Sequence, residues 1–171
     1  THADDFLVAA PVLNRSGGTE DALGYYGNTV GLRLWPRPRM TFRTLVDQAK
    51  ATVHGAFAHQ QINLDRVVRE LNPDRRSGVE RMARVSFGAR ESDHAGFCPP
   101  GITCRRAEFR GNLTQLPLGF MVEFDEQGVT VEAEYLVEII DGSLARQLLR
   151  HYGVLLAAAL AEPDRALSTL E

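Results

Sequence analysis

Hydrophobic and polar positions change period several times along the chain, and each change predicts an element. Val8 to Leu13 is an apolar run followed by the turn-forming stretch NRSGGTED, which predicts a buried strand and a loop. Asn28 to Leu34 alternates, with Val30, Leu32 and Leu34 on one face and Thr29 and Arg33 on the other, the pattern of a second strand. Trp35-Pro36-Arg37-Pro38 stops it, because two of the four residues lack an N–H for a ladder. The period then becomes helical. Phe42, Leu45, Val46, Ala49, Val53, Ala56 and Phe57 fall on one stripe behind a capping Thr41. Leu64, Val67, Val68 and Leu71 form a second stripe behind a capping Asn63, ended by Asn72-Pro73.

Alternation returns at Ala83, Val85 and Phe87, and a further strand is expected near Ile102 to Phe109. Leu118 to Phe124 and Val129 to Val137 flank Asp125-Glu126-Gln127-Gly128, a hairpin signal, with the apolar face of the second arm expected to be buried. Ser143 is positioned to cap a closing helix whose stripe runs through Leu144, Leu148, Tyr152, Leu155, Leu156, Ala159 and Leu160. The order predicts an α/β two-layer sandwich: a mixed, mostly antiparallel sheet with helices on one face.

Composition narrows the function classes. With 171 residues, 44% hydrophobic and 24% charged, the chain is globular in type and of single-domain size. Nineteen Lys and Arg against 22 Asp and Glu supply no basic excess for a phosphate backbone, so no nucleic-acid partner is expected. The longest apolar run, Val154 to Ala161, is far below the roughly 20 residues of a membrane span, and a cytoplasmic location is the expectation. Cys98 and Cys104 read as two free thiols. The chain opens on Thr1 and almost at once on a strand-like run whose backbone needs neighbours, so it reads as a lobe of something longer.

The residues offer little catalytic machinery. His54 and His59 lie about 140° apart around a helix and do not converge. His2, His94 and His151 have no patterned partner, and no nucleophile-elbow, P-loop, dinucleotide or zinc-protease motif occurs. Glu132, Glu134 and Glu138 read as a solvated strand face, and Arg105, Arg106 and Arg110 as a charge-protected edge.

The order of phrases is more informative. APVLNR (Ala10 to Arg15), LGYYGNTVGLRL (Leu23 to Leu34) and the stretch from Thr41 to Arg75 containing AFAHQQINLDRVVRELNP resemble the C-terminal half of the condensation domains of nonribosomal peptide synthetases. Gly24, Tyr26, Asn28, Thr29 and Arg33 match that family's "GxFxNTxxxR" phrase, and His59, Gln60, Leu71, Asn72 and Pro73 match its "HQ…LnP" phrase. The closing stretch from Gly128 to Leu170 resembles the family's last strand and final helix. The resemblance implies a chloramphenicol acetyltransferase-like lobe, residues 1–171 being the C-terminal lobe of a two-lobed domain. Its catalytic "HHxxxDG" belongs to the other lobe and is absent from this sequence.

The resemblance also implies roles and partners. Arg15 and Asn28 support the missing motif, Arg15 by pairing with its aspartate. His59, Gln60, Asn72 and Pro73 form a structural signature at a helix joint, and Pro117 stands at an acceptor-side position where many members carry aspartate. No cofactor is bound directly. The partners are the N-terminal lobe, donor and acceptor carrier proteins with their phosphopantetheine arms, and an adjacent adenylation domain or tailoring enzyme. The joined domain forms an amide; the 171 residues alone are expected to be inactive and, with an apolar face uncovered, to self-associate. A non-catalytic recruitment module, a cyclising variant and a stand-alone acyltransferase are the alternatives.

Overall fold

The computed structural model describes residues 5–15, 17–71, 83–91, 99–103, 114, 116–126 and 128–170. Among these residues five strands form one sheet: β1 (Phe6–Val12), β2 (Asn28–Leu34), β3 (Ala83–Glu91), β4 (Leu118–Asp125) and β5 (Gly128–Tyr135), in the order β2-β1-β3-β4-β5. The outer junctions β1–β2 and β4–β5 are antiparallel, while β1–β3 and β3–β4 are parallel. The sheet is therefore mixed, as expected, with more of its paired residues antiparallel than parallel. The Asp125–Gly128 hairpin forms as its turn residues dictate: Asp125 Oδ1 accepts from Gly128 N at 2.9 Å, and Gly128 sits at φ 147°.

Three helices follow the predicted stripes: α1 (Phe42–Ala58), α2 (Leu64–Leu71) and α3 (Gly142–Ala161). Thr41 Oγ1 accepts from Thr44 N at 3.2 Å, and Asn63 Oδ1 from Asp65 N at 2.8 Å, so both predicted caps hold. The cap of α3 is Asp141, not Ser143. Its carboxylate accepts from Ser143 N at 2.7 Å, and hydrogen bonding from the Ser143 hydroxyl, with that backbone bond, holds the acid below the ordinary carboxylate range. Asp at this position also carries a charge favourable to the helix N-terminus, which a serine does not.

The alternating strand residues explain the layers. Val8, Ala10 and Val12 of β1 lie beside Leu32, Val30 and Asn28 of β2, and Val53 and Ala56 of α1 pack on that face. Through the register, Phe120 of β4 shares the face and stacks on Tyr152 of α3, with ring centroids 6.0 Å apart. Thus α1 and α3 cover one face. The short α2 lies on the other, which departs from the expectation of helices on one face alone. A methyl group added at Gly31 would stand 3.1 Å from Leu7 Cδ1 and 3.2 Å from Leu64 Cδ1 of α2, so the absent side chain is what lets the helix approach the strand.

The segment after α3 returns to the start of α1. Arg43 N donates to Pro163 O at 2.9 Å, Leu167 N to Met40 O at 2.8 Å and Ser168 N to Pro38 O at 3.1 Å. Arg43 and Asp164 add a forked, solvent-exposed ion pair at 2.7 and 3.1 Å, which lowers the Asp164 pKa and contributes modestly because water screens it.

Some expected burial is smaller than the pattern implied. Leu64 and Val68 of α2 are buried, whereas Val67 is 36% and Leu71 71% exposed. Val137 is not in β5, which ends at Tyr135, and is 74% exposed; Val129 is 67% exposed at the hairpin. Ile102 and Thr103 are not in a strand, and Cys104 to Phe109, like both cysteines, lies outside the described residues. Among the described residues no helix is long and apolar enough to cross a membrane.

Candidate functional site

Four of the residues singled out by the sequence, Arg15, Asn28, His59 and Gln60, lie at one end of β1 and β2. Val12 pairs with Asn28 in the antiparallel register, so Arg15, three residues beyond Val12, and Asn28 share the same end of the hairpin. The left-handed Asn14 (φ 51°) turns the chain out of β1, as a residue type tolerant of that region can.

Arg15 is half-buried and engages backbone. Its Nη1 donates to Thr19 O at 2.7 Å, Ala22 O at 2.6 Å and Glu20 O at 3.4 Å, and its Nη2 to Gly24 O at 3.1 Å. The guanidinium carbon lies 4.8 Å from the centre of the Tyr26 ring, within cation–π range.

Asn28 bridges strand and helices. Its Oδ1 accepts from Thr29 N at 2.8 Å, which orients the amide, and Nδ2 then donates to Gln60 O at 2.6 Å and Ile62 O at 3.2 Å. Those carbonyls belong to the turn between α1 and α2. The NT and HQ phrases, 30 residues apart in the sequence, thus meet as one clamp. His59 closes α1 through its backbone: its N–H donates to Ala56 O at 3.1 Å, and its carbonyl accepts from Ile62 N at 3.0 Å. Its side chain is exposed and that of Gln60 half-buried. Carbonyls in a turn beyond a helix end have no intrahelical partner, and here a strand asparagine donates to two of them.

The clamp fixes one wall of an open groove of about 640 Å³, lined by Phe6 and Leu7, by Thr29, Gly31 and Arg33, and by His59, Ile62 and the α2 residues Leu64, Val67, Val68 and Leu71. Arg33 and Asp5 form a forked pair at its margin at 3.0 and 2.6 Å, which lowers the Asp5 pKa and raises that of Arg33. Pro117 sits elsewhere, just before β4. It is half-buried, its carbonyl accepting from Leu136 N at 3.1 Å. Asn72 and Pro73 lie outside the described residues. Among the described residues no group of three or more His, Cys, Asp or Glu is placed to hold a metal ion. This geometry supports a loop and a helix joint; among the described residues it does not bring together a nucleophile, a base and an oxyanion donor.

The sequence reading missed Gly31 as the seat of α2. The signal was present as a glycine inside an alternating strand, a known mark of close backbone approach.

The chain resembles known proteins along its whole length. The condensation-domain family profile matches residues 1–171. CymA of Salinispora arenicola, described as a probable non-canonical nonribosomal peptide synthetase, is 29% identical over 98% of this chain, which spans 2% of CymA. A four-domain nonribosomal peptide synthetase bound to AMP and glycine has the same fold over 98% of the chain, with TM-score 0.83 and 19% identity, and the chain covers 14% of it. The X-domain solved with OxyB from teicoplanin biosynthesis matches 98% of the chain with TM-score 0.81 and 17% identity, the chain covering 38% of it. The chain belongs to the condensation-domain family.

Proposed function

We propose that residues 1–171 are the C-terminal lobe of a condensation domain in a nonribosomal peptide synthetase, and that the joined domain makes an amide between two carrier-bound substrates. The acceptor amine nitrogen attacks the donor thioester carbonyl carbon, the new C–N bond replaces the C–S bond, and the donor pantetheine thiol leaves with a proton. The histidine of the "HHxxxDG" motif on the preceding lobe handles that proton. This lobe supplies support: Arg15 faces the aspartate of that motif, Asn28 fixes the neighbouring helix joint, and Pro117 lies on the acceptor side. The phosphopantetheine arms of donor and acceptor carrier proteins bring the substrates. An adjacent adenylation domain or tailoring enzyme completes a cytoplasmic assembly.

The observation that carries this reading is the clamp between Asn28 and the carbonyls of Gln60 and Ile62, with His59 used through its backbone as a helix end. A residue in that role is architecture. In the complete domain, His59→Ala is expected to leave condensation of loaded carriers within about threefold of the parent. Loss of about 10²- to 10⁴-fold, the scale of a missing general base, would reassign the histidine.

A recruitment module is the second reading, since the fold matches the X-domain as well as the four-domain synthetase. An intact "HHxxxDG" in the preceding lobe favours condensation; its loss favours recruitment.

A further inference from the structure

We infer that Arg15 is the internal template of the loop that links β1 to β2, a positioning role separate from any ion pair across the lobes. Gly17, Gly18 and Gly24 adopt positive φ, and a single backbone bond, Ala22 N to Thr19 O at 3.2 Å, spans the turn among the described residues. Against this the guanidinium contacts four carbonyls, those of Thr19, Glu20, Ala22 and Gly24, spread over six residues. It also lies over the ring of Tyr26.

A planar fork with several fixed N–H directions can collect carbonyls from one curved segment; an ammonium on a flexible stem presents three rotatable donors from one point. The contacts fix the loop's curvature. Leu23 and Tyr25 are then held outward, 101% and 95% exposed, flanking Gly24, whose carbonyl Arg15 holds. The inference rests on the proposed function only for what these two side chains meet, namely the preceding lobe.

The test uses the 171-residue chain itself, so it stands apart from any condensation assay. Backbone ¹⁵N relaxation of Gly17 to Gly27 is compared in the parent, Arg15→Lys, Arg15→Ala and Tyr26→Phe. In the parent the loop amides are expected near the rigid range, with order parameters of about 0.85, and in both Arg15 variants to fall below about 0.6. Amides of β1 and β2 are unchanged in every variant, and Tyr26→Phe, which keeps the ring face, matches the parent. Failure of lysine to rescue separates the fork geometry from simple charge. A loop already flexible in the parent, or equally rigid in Arg15→Ala, would overturn the inference. So would full order in Arg15→Lys.

Discussion

Replacing Asn28 with aspartate is expected to lower the unfolding free energy of the chain by about 2–3 kcal/mol, more than replacement with alanine, at about 1–2 kcal/mol. The amide nitrogen donates at 2.6 and 3.2 Å to Gln60 O and Ile62 O. Alanine removes three hydrogen bonds, the two to these carbonyls and the one that Thr29 N donates to the side chain, each worth about 0.5 kcal/mol net because water can reach the released groups. Aspartate removes the same donors and places a carboxylate oxygen against two carbonyl oxygens, so repulsion adds to the loss. It still keeps the acceptor for Thr29 N, and that isolates the effect at the joint. Urea unfolding with an unchanged slope measures the difference. Equal midpoints for aspartate and asparagine would mean that the clamp holds nothing.

Gly31→Val is expected to cost about 2–3 kcal/mol through overpacking, and Gly31→Ala less. A first carbon there meets Leu7 Cδ1, Leu64 Cδ1 and Leu7 Cδ2 at 3.1, 3.2 and 3.3 Å, so alanine requires shifts of a few tenths of an ångström. Valine adds two methyl groups in the same space, and α2 must move off the strand. Because Leu64 and Val68 are the buried residues of that helix, the whole of its packing is affected. Strand propensity favours valine over glycine, so stabilisation by Gly31→Val, read as a higher urea midpoint, would show that α2 does not rest on this position.

Elements whose signal is local were legible in the sequence. Thr41 and Asn63 read as caps because a short polar oxygen before an apolar stripe can reach free helix N–H groups, and both do so. Asp141 was passed over for Ser143 because both precede the stripe closely and the periodicity does not distinguish the cap from the first turn. The parallel pairing of β1, β3 and β4 left no trace, since alternation specifies which side chains share a face and not which strand lies alongside. Placement of α2 on the second face was hidden for a related reason: its seat, Gly31, has no side chain to contribute to a pattern.

The site divides the same way. The residues of the NT and HQ phrases were legible as a family signature, but the link between them runs from a side chain to backbone carbonyls, which any residue carries. Arg15 was read as a partner for a distant carboxylate; its contacts with four carbonyls of its own loop depend on curvature that composition does not encode.

The most direct measurement mixes donor- and acceptor-loaded carrier proteins with residues 1–171, or with the complete domain including the preceding lobe, and follows the amide product by mass spectrometry. The account predicts product from the complete domain and none above the uncatalysed background from the 171 residues. Amide formation by the 171-residue chain at a rate comparable to the complete domain would contradict it.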